Sequence, residues 1–166
     1  MSVISVLIPV YNARKEIRSC LDSVLGQTLR DIEVICINDG STDGSREVIE
    51  EYAKKDSRIK VFSQENVGAG PTRNRGILIA TGKYVAFMDA DDMYPSNDVL
   101  QKMYEVAEAS GVNICGGEWA EINSNGKIVR EFSNEYYGYT FEKEGRVLYK
   151  DYQYDYGYHR FIYKRS

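Results

Sequence analysis

Hydrophobic positions in the first 116 residues alternate between short apolar runs and stretches with helical spacing. The apolar runs predict five strands, the first two of them buried, at 3–10, 32–37, 59–62, 84–88 and 112–115. Between them, apolar residues recur every three or four positions, which predicts four helices. Strands that alternate with helices indicate an α/β fold with a mainly parallel sheet and helices on both faces.

Capping residues predict where the helices begin and end. Asn12 is expected to cap the first helix, which Gly26 ends, and Ser96 to cap the fourth, which runs to about Ser110. Pro71 suits the first turn of the third helix, since its missing N–H is not needed there. The residues of the fourth helix expected to face inward are Val99, Leu100, Met103, Val106 and Ala107.

The pattern changes after residue 116. Residues 118–132 predict a hairpin around Asn125-Gly126, which is a strong turn signal. Residues 136–163 hold nine of the 14 tyrosines, a composition more typical of packing or an interface than of a base-stacking platform. We expect residues 1–116 to form an α/β core, and 117–166 to be a short antiparallel or irregular part that continues in a longer natural protein.

Composition excludes several classes of protein. The 166 residues are 43% hydrophobic and 28% charged, as in a soluble globular domain, and the net charge of -4 argues against a nucleic-acid partner. No run approaches the ~20 apolar residues of a membrane span, and the N-terminus lacks the basic region of a secretory signal. The three cysteines are interpreted as reduced core residues of a cytoplasmic protein. His159, the only histidine, excludes a histidine-rich metal site.

Polar or glycine residues follow each of the first four strands. In an open parallel sheet, ligands bind beyond the carboxyl ends of the strands. These residues are therefore expected to share one edge of the sheet and to form a site there. In chain order they are Tyr11 and Asn12; Asn38 and Asp39; Gly68, Gly70 and Arg73; Asp89 and Asp91.

The acidic pair after the fourth strand admits two interpretations. If the strand continues, its side chains alternate, so Asp89 and Asp91 point to one side and Ala90 to the other. Such a pair suits Mg²⁺ or Mn²⁺, which prefer hard oxygen ligands. A short Asp-x-Asp is also common as an acidic turn before a helix. The neighbouring polar strand ends favour the metal.

Two further positions have alternative interpretations. Asp39 could accept a hydrogen bond from the ring N–H of a ligand, or cap the next turn through the N–H of Ser41 or Thr42. Arg73 and Arg75 lie two apart on a helical first turn, so they point in different directions and only one need face the site. The Gly68–Gly70 segment does not complete a dinucleotide fingerprint, because Arg occupies the place of the third glycine.

Three segments, in this order and spacing, resemble a family 2 glycosyltransferase of the GT-A fold. They are SVLIPVYN at 5–12, VICINDGSTDGS at 34–45 and NVGAGPTRNRGILIATGKYVAFMDADD at 66–92. The resemblance is close from residue 3 to about 100 and loose beyond. It implies a Rossmann-like nucleotide-sugar-binding core, with residues 117–166 starting the acceptor side, in an enzyme of bacterial polysaccharide synthesis.

The resemblance also implies roles for individual residues. The enzyme would transfer a sugar from a nucleotide diphosphate-sugar, with a UDP-sugar favoured, to a saccharide or lipid-linked acceptor hydroxyl, with inversion and with Mg²⁺ or Mn²⁺. Pro9, Tyr11 and Asp39 would line the base, with Asp39 accepting the uracil N3–H, and Asp89 would contact the ribose. Asp91 would hold the metal. The implied nucleotide-binding set is Pro9, Tyr11, Asn12, Asp39, Arg73, Asp89 and Ala90.

The general base of the family is expected beyond Ser166, since Asp151 and Asp155 lie too early to match it. Inverting displacement needs such a base, so we expect these 166 residues to bind donor and to transfer poorly. The alternative is a nucleotide-sugar-binding module without transfer activity. The resemblance implies a cytoplasmic protein at the inner face of the membrane, and leaves peripheral membrane association and homo-oligomer formation open.

Overall fold

The computed structural model describes residues 2–117, 120–123, 125, 127–131 and 160–165, and it confirms the predicted alternation of strands and helices. The predictions for the tyrosines between 136 and 158, for Asp151 and Asp155, and for His159 lie outside the described residues. In chain order the elements are β1 (Ile4–Val10), α1 (Ile17–Leu25), β2 (Ile32–Asp39), α2 (Ser45–Lys55), β3 (Ile59–Gln64), α3 (Ala69–Ile79), β4 (Tyr84–Phe87), α4 (Val99–Ser110), β5 (Ile114–Gly116), β6 (Ala120–Ile122), β7 (Ile128–Glu131) and β8 (Phe161–Lys164).

Six of these strands form one mainly parallel sheet in the order β3-β2-β1-β4-β8-β5. The first four are parallel to each other, whereas β8 runs antiparallel to both of its neighbours. The sequence predicted a strand close to β5 but not β8, which lies between β4 and β5. Local periodicity cannot find this insertion, because Ile162 pairs with Ala86, 76 positions earlier in the chain.

Helices pack on both faces of the sheet, as predicted. Alternate residues of β1 belong to two separate apolar cores, because successive strand residues point to opposite faces. Ile8 packs in the larger core with residues of α1, α2 and α4, whereas Leu7 packs in the smaller core with Ala80, at the end of α3. Gly76 allows α3 to approach, since a Cβ there would lie 3.0 Å from Leu7 Cδ1.

Two predicted helix starts are wrong for a common reason: the proposed capping side chains bond elsewhere. Asn12 does not cap α1, which begins after Glu16, and Ser96 donates its hydroxyl hydrogen to Asp98, the residue that precedes α4. Val106 is 52% exposed, not inward-facing. Gly26 ends α1 as predicted. No helix among the described residues is long and apolar enough to span a bilayer.

The predicted hairpin is confirmed for the part of 118–132 that the structure describes. Strands β6 and β7 pair antiparallel and form a separate two-stranded sheet. Asn123 Oδ1 accepts hydrogen bonds from the N–H groups of Asn125 and Lys127, so the side chain of Asn123 organises the turn.

A buried carboxylate, Glu33, ties the strands together at their amino ends. One of its oxygens accepts hydrogen bonds from the Ser5 hydroxyl, from the N–H and hydroxyl of Thr81 (2.6 and 2.8 Å) and from the Gly82 N–H. The other oxygen binds Lys60 Nζ at 2.6 Å. Burial raises the pKa of Glu33, but the Lys60 ammonium and the other donors outweigh it and lower the pKa to about 2.

Glu33→Gln is expected to destabilise the protein at neutral pH and to remove a component of its pH dependence. A pKa depressed from 4.5 to about 2 stabilises the folded state fully above pH 4.5, and the effect is lost as the pH falls toward 2. At about 1.4 kcal/mol per unit, the free energy of unfolding should fall by about 3 kcal/mol at pH 7. Urea titrations followed by circular dichroism at pH 7 and pH 3 measure both values.

Glu50→Gln is the matched control for this prediction. Glu50 pairs with Arg46 on the exposed face of α2, where ion pairs contribute little. A deficit in Glu33→Gln that is no larger than in this control, or that is equally large at both pH values, would contradict the role given to Glu33.

Candidate functional site

An open cleft of about 740 Å³ lies at the carboxyl ends of the parallel strands. The eight nucleotide- and metal-binding residues that the resemblance implied all lie in its lining: Pro9, Tyr11, Asn12, Asp39, Arg73, Asp89, Ala90 and Asp91. Gly68, expected at this edge, also lies in the lining, whereas Asn38 and Gly70 do not. The sequence did not single out the other lining residues, Val10, Ala13, Glu16, Asn66 and Ala69.

The parallel register brings these residues together. Val10 pairs with Asn38 at the ends of β1 and β2, and Asp39 pairs with Gln64 at the ends of β2 and β3. Because all these strands run in one direction, the segments that follow them leave the sheet at a single edge. The central prediction, that polar strand ends meet in one place, is therefore confirmed.

The loop after β1, which lines the cleft, is held to the loop after β2 by side-chain hydrogen bonds. The N–H of Asn12 donates to Ser41 Oγ (3.1 Å), and Asn12 Oδ1 accepts from the N–H of Thr42 (2.8 Å). The N–H of Ala13 donates to Ser45 Oγ (2.9 Å). Asn12 has a φ of 50°, a left-handed conformation that asparagine tolerates better than most residues. The polar residues after β1 and β2 thus bind each other.

Asp39 ends β2 with a carboxylate that is only 2% exposed. Its Oδ1 accepts hydrogen bonds from Gln64 Nε2 (2.8 Å) and the Val67 N–H (3.0 Å), and its Oδ2 accepts from the Gly68 N–H (2.9 Å). Burial raises the pKa of Asp39, but these donors outweigh it and hold the pKa below its ordinary value. An ionised carboxylate accepts about four hydrogen bonds, so Oδ2 retains room for one more.

Asp39 does not cap the turn that follows it. The neighbouring side chain does so instead, because Asn38 Oδ1 accepts from the Ser41 N–H at 3.1 Å. Of the two interpretations that the sequence left open, the local cap is wrong. The carboxylate of Asp39 instead fixes the loop at residues 67–68, which leads into α3.

Arg73 faces the cleft from α3 and forms a salt bridge with Asp89, the second residue after β4. The side chains are 17% and 31% exposed, so the pair is shielded from water more than an ordinary surface ion pair. Arg75 turns away, as the spacing predicted for one of the two, and donates to Gln64 Oε1 at 2.8 Å. Arg73 therefore supplies the cleft with a guanidinium that is already held by a carboxylate.

The acidic segment after β4 is a turn and not a continuation of the strand. The N–H of Asp92 donates to the carbonyl oxygen of Asp89 at 3.1 Å. The alternation argument for Asp89 and Asp91 is therefore wrong, since it requires an extended backbone. Both residues nevertheless line the cleft, because the whole turn from Asp89 to Asp91 lies against it.

A divalent cation fits this turn only with ligands from outside the protein. Among the residues that the structure describes, no group of three or more His, Cys, Asp and Glu side chains could hold a metal. Asp89 is engaged by Arg73, whereas Asp91 is exposed in the cleft lining. Mg²⁺ commonly takes one or two carboxylates and completes its shell with water and phosphate oxygens. Asp91 satisfies that limited requirement.

Helix α1 holds the chain that follows the acidic turn. Ser23 Oγ accepts from the Tyr94 N–H (3.1 Å), and Gln27 Nε2 donates to the Ser96 carbonyl oxygen (2.7 Å). Gln27 Oε1 also accepts from the Leu100 N–H (3.0 Å). Gln27 is fully buried, so its amide replaces the missing backbone partners at the start of α4. The sequence analysis missed this residue, whose only signal is a polar position directly after Gly26.

Comparison with known proteins identifies the family. A profile described as Glycosyl transferase family 2 matches residues 5–166. The uncharacterized glycosyltransferase EpsJ of Bacillus subtilis (strain 168) is 46% identical over 114 residues, which cover 69% of this chain and 33% of that protein. The chain therefore spans about a third of the length of this relative.

Solved structures share the fold. The crystal structure of S. aureus TarS 1-349 in complex with UDP matches with a TM-score of 0.63 and 30% identity, over 69% of this chain and 34% of that one. The mannosyltransferase PcManGT from Pyrobaculum calidifontis, in complex with GDP-Man and Mn²⁺, matches with a TM-score of 0.63 and 25% identity, over 68% and 34%. With the profile covering the whole cleft, the chain belongs to glycosyl transferase family 2 and has the GT-A fold.

Proposed function

We propose that this chain is the donor-binding part of an inverting glycosyltransferase, which transfers a sugar from a nucleotide diphosphate-sugar to an acceptor hydroxyl with the help of Mg²⁺ or Mn²⁺. The observation that carries the proposal is the convergence of Asp39, the Arg73–Asp89 pair and Asp91 in one cleft. The UDP complex of TarS and the GDP-Man and Mn²⁺ complex of PcManGT support the class of donor.

The base would bind at Asp39, between Pro9 and Tyr11. Asp39 Oδ2, which accepts one hydrogen bond from the Gly68 N–H, would accept a second from a ring N–H of the ligand. Uracil, thymine and guanine carry such an N–H next to a carbonyl, whereas cytosine and adenine present a lone pair at the equivalent ring position and would be repelled. Among the bases that remain, uracil is favoured, since TarS binds UDP at 30% identity.

The ribose and diphosphate would extend from Asp39 toward the turn after β4. Asp89, which Arg73 holds in place, would accept a hydrogen bond from a ribose hydroxyl. Asp91 would bind the cation together with diphosphate oxygens. The cation would supply Lewis-acid stabilisation of the charge that gathers on the diphosphate as the glycosidic bond breaks.

Transfer itself would need a base to accept the proton of the acceptor hydroxyl. We assign no described residue to that role. Because the chain spans about a third of its relatives, the activity of the whole protein, its acceptor and its sugar remain proposals. Donor binding is the part of the reaction that experiments on these 166 residues test directly.

Asp39→Asn is expected to weaken UDP binding by roughly tenfold or more, the effect of losing about 1.4 kcal/mol of charge-assisted hydrogen bonding. CDP should bind the unchanged protein weakly, and the substitution should not weaken it further, because the neutral amide no longer repels the cytosine lone pair. Isothermal titration calorimetry with both nucleotides in Mn²⁺ measures the two affinities. Asp31→Asn, an exposed carboxylate outside the cleft, is the matched control. Equal affinity of the unchanged chain for UDP and CDP would refute the role of Asp39.

Asp91→Asn is expected to abolish the gain in UDP affinity that Mn²⁺ provides, because the amide is a much weaker ligand for a hard cation. UDP affinity without metal should stay within about twofold, since no other contact of the nucleotide changes. The measurement is UDP titration with Mn²⁺ and with EDTA, again with Asp31→Asn as control. Binding that is the same with and without metal, and unchanged in the variant, would exclude the proposed metal site.

A further inference from the structure

Three polar residues outside the cleft lining form a hydrogen-bonded network directly behind Asp39. They are Gln64 at the end of β3, and Thr72 and Arg75 on α3. Gln64 Nε2 donates both to Asp39 Oδ1 and to Thr72 Oγ1, each at 2.8 Å. Gln64 Oε1 accepts from Arg75 Nη1, also at 2.8 Å. The amide of Gln64 therefore lies between the guanidinium of Arg75 and the carboxylate of Asp39.

The fold specifies this arrangement through two independent elements. Asp39 and Gln64 are direct partners in the parallel register of β2 and β3, so their side chains lie on the same face of the sheet. Thr72 and Arg75 are three apart on α3 and therefore share a face of that helix, which packs on the sheet. The network forms where this face of α3 meets the ends of β2 and β3.

The orientation of the Gln64 amide is determined by its neighbours. Arg75 has only donors, so it can be bonded only by Oε1, and this turns Nε2 toward Asp39. Thr72 reinforces the orientation, because its hydroxyl donates to the Gly68 carbonyl oxygen at 2.8 Å and can then only accept from Gln64. If the amide were reversed, its oxygen would face the Asp39 carboxylate and repel it.

Arg75 is itself held on the side away from the cleft. It donates to the Ser63 carbonyl oxygen at 3.2 Å, and its guanidinium carbon lies 5.8 Å from the centre of the Phe62 ring. Neither Arg75 nor Gln64 lines the cleft, so neither is placed to touch a ligand there. Any effect of these two residues on binding is therefore indirect, and the contacts that can carry it are Gln64 with Asp39, and Gln64 with Thr72, which bonds Gly68 in the lining.

We propose that Arg75 and Gln64 are positioning residues that set the base specificity of the cleft. Arg75 fixes the Gln64 amide, and the amide holds Asp39 as an anion with one acceptor position open toward the ligand. This inference rests on the proposed function, namely that the cleft binds a nucleotide through Asp39. Loss of Arg75 releases the amide and weakens the preference for a base that carries a ring N–H, while the diphosphate contacts at the other end of the cleft are unaffected.

The test compares Arg75→Met with Arg75→Lys, which retains a cationic donor, and with Arg46→Met. Arg46 makes an exposed salt bridge on α2 and controls for the loss of a surface guanidinium. UDP, CDP and inorganic pyrophosphate are titrated calorimetrically in Mn²⁺ against the full 166-residue chain. We expect Arg75→Met to reduce the ratio of UDP to CDP affinity by roughly fivefold, the equivalent of one modest hydrogen bond. Pyrophosphate affinity should be unchanged, Arg75→Lys should recover most of the ratio, and Arg46→Met should match the unchanged protein.

A second variant, Gln64→Glu, keeps an acceptor for Arg75 but removes the N–H that faces Asp39, so it should also reduce the ratio. An unchanged ratio in both variants overturns the inference. So does an equal loss of UDP, CDP and pyrophosphate affinity, or loss of the native circular dichroism spectrum in both, since each outcome assigns the network a purely structural role. If the unchanged chain binds UDP no better than CDP, the proposed function fails first. A clear preference for UDP that Arg75→Met retains refutes only this inference.

Discussion

The parallel pairing of β1, β2, β3 and β4 is the constraint on which the rest of the structure depends. Helices cover both faces of these strands, so a polar side chain avoids the free-energy cost of burial most easily at the two ends of the sheet. Strand β2 carries a buried carboxylate at each end: Glu33 at the amino end and Asp39 at the carboxyl end. The four parallel strands all end at the same edge of the sheet, and the cleft lies at that edge.

The two carboxylates differ in what surrounds them. Glu33 is paired with a cation, Lys60, and takes its other donors from Ser5 on β1 and from the chain just before β4, so it stabilises the sheet. Asp39 instead accepts hydrogen bonds from the side-chain amide of Gln64 and from the backbone N–H groups of Val67 and Gly68, just before α3. Both pKa values are depressed, yet only Asp39 lies in the cleft with an acceptor position to spare. Strand β2 thus carries one anion, Glu33, that stabilises the sheet, and another, Asp39, that is placed to recognise a ligand.

The charges of the cleft explain why a cation belongs in the proposed mechanism. Its lining contains four carboxylates, those of Glu16, Asp39, Asp89 and Asp91, against the single guanidinium of Arg73. A diphosphate would be repelled by this balance unless a divalent cation accompanied it. The loops after β1 and β2 are hydrogen-bonded to each other, and Arg73 holds Asp89, before any ligand arrives, so little ordering of these residues would be needed on binding.

The sequence alone determined the strands of the parallel core, their approximate ends and the polar residues beyond them, because apolar periodicity and strand-end composition are local properties. It placed Tyr11, Asp39 and Asp91 in one site for that reason. The tertiary structure alone decided what those residues bind. Asn12 pairs with a loop 30 positions away and Asp39 with N–H groups 28 and 29 positions away, and no local pattern encodes such contacts.

The same distinction holds for the elements that the sequence missed. Strand β8 joins the sheet by pairing with β4, and the paired residues Ala86 and Ile162 are 76 positions apart in the chain. The chain after β4 forms a turn, whereas the alternation argument assumed an extended strand. The sequence did not single out Gln27, and it placed Arg75 only as one of two arginines that point in different directions. Their roles depend on packing, which places them against the start of α4 and against Gln64. Periodicity specifies which face of an element is buried, whereas the partner of a polar side chain is chosen by the packing of distant segments.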